Sequence, residues 1–396
     1  MKIEGIRVKN FRSLKDIELK NIPKMCVFLG ENGAGKSTLF KVFGFLKTAL
    51  KDNIRVALAQ EGGFKEVISR GEKGFIEFEI SFRVKLASPK ITYLLAIGLD
   101  EKNRPVVEKE ILKYRRGQRG KPWHYLDYSR GKGFAVTNEL ELDKIPDEKQ
   151  LNREEQALDS PDILAIKGLG QFKQFPAVAA FRKLIENWHL SDIHISDARK
   201  TQEAGYAEHL STTGDNTPLV AQYFKEQHPE ILSDILKKLE NRVPGISEVA
   251  AVSMEDGQVA LKFKDKSFSE PFLARYVSDG TVKMFAYLLL LNDPFPHPLL
   301  CIEEPENQLY PHLMRELVAE FRDYAQRGGQ IFVSTHSPDF VNNVELEELF
   351  WITKENGFSK IHRAIENEDI VRLYKEGDLL GSIWQQGLLY GDGIKI

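Results

Sequence analysis

The stretch "MCVFLGENGAGKSTLF" (25–40) constrains this chain more than any other. Met25–Leu29 are apolar without interruption, as a strand buried on both faces requires. Gly30–Ser37, "GENGAGKS", fits G-x-x-x-x-G-K-[ST]. After it Leu39, Phe43, Leu46 and Leu50 recur at the spacing of an amphipathic helix. A strand, a glycine-rich loop and a helix in that order form a cradle for phosphate. The glycines let backbone amides curl around the oxygens, and the helix presents its positive end to them. In such a loop Lys36 neutralises the β- and γ-phosphates of a nucleotide and the Ser37 hydroxyl ligates Mg²⁺. Gly30, Asn32, Gly33, Gly35 and Thr38 complete the expected contacts to ATP.

A magnesium nucleotide also needs carboxylates at the tip of a neighbouring strand. "PLLCIEEPENQLYP" (298–311) supplies them, running from apolar chain into two adjacent glutamates. Carboxylates are rarely buried without a partner. Here Glu303 is expected to hold Mg²⁺ through water and Glu304 to orient and deprotonate the attacking water as a general base. The plainer alternative is a helix N-terminus decorated with acids, which the helix dipole favours. Two weaker signals follow the same logic. "YVSDGTVKMF" (276–285) sets Ser278, Asp279 and Gly280 ahead of an apolar helix, and "IFVSTHSPDF" (331–340) leaves His336 at a strand tip, where ligands collect in α/β sheets.

Taken in order, P-loop, S-D-G-T, apolar-E-E and T-H-S resemble the ATP-binding-cassette ATPases. The chain is most similar to their RecF, structural-maintenance-of-chromosomes (SMC) and OLD branch, and within it to small stand-alone ATPases encoded beside a separate effector. The resemblance covers roughly residues 1–50 and 270–345 and includes the opening "IRVKNFRSLKDIEL". It implies that Ser278 and Gly280 touch the γ-phosphate of ATP held by a second subunit, so that ATP joins a homodimer or higher oligomer of heads. It also implies that His336 senses the γ-phosphate, that Asn307 lies in the loop crossing the dimer interface, and that Arg12 reaches the nucleotide. Two features depart from the pattern. Glu303 stands where aspartate is usual, and Gln308 and Tyr310 stand where relatives usually show glycine and histidine. Gln171 and Gln174 are candidates for the Q-loop glutamine by position alone.

Elsewhere the pattern is simpler. Ile76, Phe78, Ile80, Phe82, Val84 and Leu86 alternate with polar residues, "ASPK" turns the chain, and Ile91, Tyr93, Leu95, Ile97 and Leu99 repeat the pattern. This predicts an antiparallel hairpin with one wet face. Residues 138–165 read as a surface loop, and three helical stretches follow to 243. "EVAAVSMEDGQVALKFKD" (248–265) reads as a second hairpin turning at Asp256-Gly257. The last third alternates helix and strand, as parallel strands with crossover helices do. The expected fold is therefore an α/β P-loop NTPase: an ABC-ATPase head with a mixed sheet core, an antiparallel β-subdomain and a helical insertion. The expected boundaries are 1–137, 138–247 and 248–396.

Lys36 and Ser278 stand 242 positions apart in a chain of 396 residues. That is more than a transporter's nucleotide-binding subunit is expected to need, and the interval lacks the heptads of a coiled coil. About fifty residues follow the T-H-S segment without the acidic set of a Toprim nuclease, so the chain is expected to lack its own nuclease. "KYRRGQRGKPWHY" (113–125) mixes Lys113, Arg115, Arg116, Arg119 and Lys121 with Tyr114, Trp123 and Tyr125. It reads either as a nucleic-acid contact, through phosphate neutralisation and stacking, or as a solvated hairpin tip. The net charge of -3 gives no overall push toward nucleic acid or membrane. Cys26 and Cys301 each sit in an apolar run and read as core residues. With no signal-peptide pattern and no apolar run long enough to span a bilayer, the protein is expected to be cytoplasmic and without a membrane partner.

The sequence thus reads as an ATP-hydrolysing switch that dimerises on ATP. It would act in a DNA-linked process or on a separately encoded effector, a nuclease or toxin, in antiviral defence or DNA repair. A non-catalytic nucleotide-dependent scaffold and a transporter subunit are the alternatives.

Overall fold

The N-terminal alternation of charged and apolar residues folds as β1 (Lys2–Phe11) and β2 (Leu14–Lys20), paired antiparallel with Val8 opposite Ile17 and Ile6 opposite Leu19. The computed structural model describes residues 1–115, 117, 120–140 and 147–390. Within them the chain forms two compact units. One comprises Met1–Trp188 with Glu347–Glu368, the other His189–Leu346 with Asp369–Ile396. The expected boundaries at 137/138 and 247/248 do not coincide with this division. A C-terminal strand pair returns to the first unit.

The first unit contains an antiparallel sheet built on β1 and β2. It continues through β3 (Ile76–Arg83), β4 (Ile91–Leu99), β5 (Pro105–Tyr114), β6 (Trp123–Ser129), β7 (Lys132–Val136) and β8 (Arg153–Ala157), in the order β2-β1-β3-β4-β5-β6-β7-β8. Ile76, Phe78, Ile80 and Phe82 are wholly buried, as period-two alternation demands. The strand stops at Arg83, earlier than its pattern continues, and Leu86 is 91% exposed. There the Arg83 guanidinium turns back, donating to the Ser88 carbonyl and to Glu4. The segment read as a surface loop contributes β8, whose polar "REEQA" suits an edge strand with a single neighbour.

Two buried carboxylates join this sheet to helices. Glu110, on β5, accepts hydrogen bonds from the Tyr93 hydroxyl (3.1 Å) and from the amides of Ala165 (2.6 Å) and Ile166 (3.0 Å) at the start of a helix. Glu139 accepts from the Tyr114 hydroxyl (2.7 Å) and the Ala177 amide (3.2 Å) at the start of the next. Burial pushes both carboxyls up to about 7 against the pull of these donors.

The apolar run Met25–Gly30 is also a strand of this unit, buried at every position. It pairs in parallel with Leu349–Glu355, which turns into the antiparallel strand Phe358–Arg363. Helix α1 (Lys36–Lys51) follows the glycine loop and buries Leu39, Phe43, Leu46 and Leu50 as its spacing predicts.

In the second unit, the hairpin Ile246–Ser253/Gln258–Asp265 turns at Asp256-Gly257, with Gly257 at φ +79°. Helix α2 (Asp279–Leu291) is buried from Thr281 onward, all round, as its mostly apolar sequence favours, with Lys283 the one charged residue inside the buried run. The strands Leu299–Glu303 and Ile331–Thr335 lie parallel, with helix α3 (Met314–Gln326) in the crossover between them. Buried Glu320 on α3 is clamped by Lys238 (2.7 Å) and Arg242 (2.6 Å) of the helix Pro229–Arg242. Cys26 and Cys301 are core residues. Among the described residues, no helix is long and apolar enough to cross a membrane.

Replacing Glu110 by Leu strands two buried amides and a hydroxyl, at about 1–3 kcal/mol each. The variant is therefore expected to be destabilised by about 3 kcal/mol or more in denaturant titrations. A carboxyl whose folded pKa of about 7 lies above its unfolded value lends stability that is complete at low pH and is lost as pH rises toward 7. The gap between wild type and variant should accordingly narrow from pH 5 to pH 8.

Candidate functional site

In the first unit the glycine loop is closed on itself. Lys36, only 6% exposed, donates from Nζ to the carbonyls of Gly30 (2.6 Å) and Glu31 (3.2 Å). Its ammonium therefore lies inside the loop, where the phosphates of a nucleotide would compete for it. Gly33 (φ +80°) and Gly35 (φ +115°) occupy the left-handed region that glycine tolerates. Glu31, Asn32, Gly33 and Ser37 are exposed, and Gly35 and Thr38 are half-buried.

The loop is buttressed by residues the motif does not contain. Ser359 donates from Oγ to the Ala34 carbonyl (2.5 Å) and hydrogen-bonds Ser13 Oγ (2.8 Å), and its amide donates to the Ser13 carbonyl (2.8 Å). A Cβ on Gly35 would overlap Ser359 Oγ, and one on Gly30 would lie 2.8 Å from the Ile352 carbonyl. Both glycines are thus required by close approach, Gly35 by conformation as well. Arg12 is engaged elsewhere. Its guanidinium pairs with the Glu61 carboxylate and donates to the Glu61 carbonyl (3.1 Å).

In the second unit the strand Leu299–Glu303 delivers Glu303 and Glu304 to the rim of a cavity of about 480 Å³, which Asp192, His194, Lys283 and Asn307 also line. Glu304 has φ +44°, a left-handed conformation that costs a non-glycine residue about 1–2 kcal/mol. It is held there by its amide bond to the Ser334 carbonyl (2.8 Å). One carboxylate oxygen accepts from Asn307 Nδ2 (3.0 Å), and the other lies 3.2 Å from His336 Nδ1. His336, exposed at the end of Ile331–Thr335, is fixed through its amide to Glu306 (3.0 Å), which also accepts from Thr335 Oγ1 (2.6 Å). Glu304, His336 and Asn307, three separate sequence signals, meet in one cluster.

Lys283 was not anticipated. It lies on α2, 4% exposed, and donates from Nζ to the Asn307 carbonyl (2.7 Å). Burial pushes its ammonium down to about 8 against the attraction of Glu306, Asp192 and Glu304. A lysine inside the apolar run "VKMFAYLLLL" was the visible signal. Glu306 offered less, being one acid among several.

Ser278 caps α2, its Oγ accepting from the Thr281 amide (3.3 Å). Asp279 pairs with Arg199 (2.6 Å). A Cβ on Gly280 would lie 3.0 Å from the Gln308 carbonyl, so a larger residue would crowd that loop. Gln308 has φ +66°, which gives a physical reason for glycine being usual there. Gln171 and Gln174 are exposed, and Gln171 donates to the Lys167 carbonyl.

The basic and aromatic segment lies at the β5–β6 turn. Tyr114 and Tyr125 are buried and stacked on each other, centroids 3.9 Å apart, and so are not open for stacking on bases. Arg83, Lys90, Lys113 and Arg115 line a groove of about 760 Å³ with Glu79. Arg116 and Arg119 lie outside the described residues.

The family model described as "AAA domain, putative AbiEii toxin, Type IV TA system" matches residues 25–342. The chain belongs to the AAA_21 family. This places it among the ABC-type AAA ATPases of the RecF- and SMC-like branch. A Helicobacter pylori protein named "ATP/GTP phosphatase" is 22% identical over 378 residues, 90% of each chain. The DNA replication and repair protein RecF of Anaeromyxobacter dehalogenans is 43% identical over 60 residues, only 15% of this chain and 16% of RecF. Among solved structures, an SMC head bound to the C-terminal winged-helix domain of ScpA superposes with TM-score 0.52 at 14% identity, covering 91% of this chain and 97% of that one. An SMC head with an extended coiled coil, bound to the C-terminal domain of ScpA derived from Pyrococcus furiosus, gives TM-score 0.50 at 12% identity, covering 95% and 99%. These likenesses show the fold of this AAA_21 chain as that of a P-loop ABC-ATPase head.

Gly35→Ala is expected to lower stability by about 2 kcal/mol or more, from the left-handed backbone and the overlap with Ser359. Adding Ser359→Gly relieves the overlap but also removes the Ser359 hydroxyl's bonds to Ala34 and Ser13, so the double variant is compared with Ser359→Gly alone. Thermal unfolding of the single and double variants separates the two contributions.

Proposed function

We propose that this AAA_21 protein hydrolyses ATP with Mg²⁺ and uses the nucleotide to switch between separate and paired heads. Gly30, Asn32, Gly33, Gly35, Lys36 and Thr38 bind the nucleotide, with Arg12 reaching it once released from Glu61. Ser37 and Glu303 hold the Mg²⁺ ion. Glu304 is the general base and His336 the γ-phosphate sensor, while Ser278 and Gly280 complete the site of a second copy. Asn307 belongs to the loop between the copies.

The observation that carries this reading is the placement of Glu304. Its backbone is held in a costly left-handed turn, and its carboxylate is aimed by Asn307 and His336 beside an open cavity. Strain of this kind persists where the surroundings impose it, and it clusters at functional sites. The carboxylate retains lone pairs for a water, and the histidine can follow charge arriving there.

The switch would control a separately encoded effector, a nuclease or toxin, or a process on DNA. The toxin–antitoxin wording of the family description favours the first and the RecF similarity the second. Partner-bound SMC heads are a precedent for docking on this fold. The protein would work in the cytoplasm, in antiviral defence or DNA repair.

Glu304→Gln is expected to retain ATP binding, slow phosphate release by about 10²–10⁴-fold, and accumulate as an ATP-dependent dimer on size-exclusion chromatography with light scattering. Lys36→Ala should abolish nucleotide binding. Unchanged turnover in Glu304→Gln would remove this residue from the mechanism. Negligible turnover of the wild type, with and without DNA, would leave a nucleotide-dependent scaffold.

A further inference from the structure

The loop "NDPFPHP" (292–298) joins α2 to the strand Leu299–Glu303. Pro294, Pro296 and Pro298 fix alternate φ angles along it, so its side chains are presented with little conformational freedom. Two of them, Asp293 and His297, meet His209 from a distant loop. Asp293 is 2% exposed. Its Oδ1 accepts from the Phe295 amide (2.8 Å), which turns Oδ2 toward His209 Nδ1 at 2.6 Å. The His209 loop is fixed in turn by Asn216, which donates to the His209 carbonyl (3.0 Å) and accepts from the Ser211 amide (2.8 Å). The His297 ring lies 5.2 Å from that of His209 and stacks on His189 at 4.7 Å and 19°. One ligand atom from each of His209, Asp293 and His297 lies within 4.8 Å of the others.

Beside the His209–Asp293 ion pair, a proline-locked loop brings a second imidazole, stacked on His189, to the same point. Two imidazoles and a carboxylate, the carboxylate oriented by a backbone amide, are the donor set of zinc and its neighbours rather than of Mg²⁺, which takes oxygen ligands. We propose that His209, Asp293 and His297 bind a divalent transition-metal ion of the zinc class, with water in the remaining position. At metal–ligand bonds of about 2.0–2.1 Å, tetrahedral donors stand about 3.4 Å apart, so on binding the ion would part the hydrogen-bonded His209–Asp293 pair slightly and draw the wider separations in by about an ångström. His209 is the part able to move, its side chain being 41% exposed. The ion would tie the connection between α2, which Ser278 caps, and the strand that ends at Glu303. It is a site separate from the nucleotide chemistry and stands without it.

The test is cobalt(II) titration of the full chain after chelator treatment, followed by zinc displacement. The expected result is one equivalent per chain with the strong visible absorption of four-coordinate cobalt, and a zinc-dependent rise in melting temperature. His297→Ala and His209→Ala should each weaken binding by more than about tenfold and abolish the rise. His336→Ala, which removes the histidine of the Glu304 cluster, should leave both signals intact. Should His297→Ala fold poorly, His209→Ala decides, because its side chain is half-exposed. Absence of the cobalt band, variants that bind like wild type, or loss of binding in His336→Ala instead would each overturn the assignment.

Discussion

The phosphate loop rests on a contact that spans nearly the whole chain. Ser359, from the strand Phe358–Arg363, hydrogen-bonds the Ala34 carbonyl beneath the loop and links it to Ser13. It reaches that place because Leu349–Glu355 pairs in parallel with the buried strand Met25–Gly30, setting Ile352 opposite Gly30. The Ile352 backbone approaches Gly30, and the Ser359 side chain approaches Gly35, so closely that only glycine fits at positions 30 and 35. Lys36 can then fold inward onto the Gly30 and Glu31 carbonyls, where its buried charge is hydrogen-bonded. The geometry of an eight-residue motif thus depends on a strand more than 300 residues downstream.

The second unit organises its acids by the same economy of contacts. Glu304, Glu306, Asn307 and His336 form a network in which each polar group orients another, and Lys283 anchors the loop from below. The Glu304 backbone conformation is costly, and the network around it is what sustains it. The two buried carboxylates Glu110 and Glu139 are a structural counterpart in the first unit. They serve helix starts instead of a ligand, which is why their donors are backbone amides and tyrosines rather than a histidine beside a cavity.

The β5–β6 turn shows how composition and placement can part. Basic and aromatic residues there suit nucleic acid by type. Yet Tyr114 and Tyr125 are spent on the core, with Tyr114 satisfying Glu139. Their alternation along the strands, read for burial rather than for chemistry, would have placed them inside. Linear boundaries cannot represent a strand pair that leaves the second unit and returns to the first.

The sequence by itself determined every feature that depends on near neighbours. These are the period-two strands around Ile76–Phe82, the helix stripe of α1, the Asp256-Gly257 turn, and the strand–loop–helix order of the phosphate motif. Each is set by side-chain periodicity or by backbone freedom within a few residues. Only the tertiary structure decided which distant groups share a point in space: Ser359 under Ala34, His336 on Glu304, and His209 against Asp293 and His297. Those meetings depend on strand register and loop closure over tens to hundreds of residues, and no local pattern encodes them.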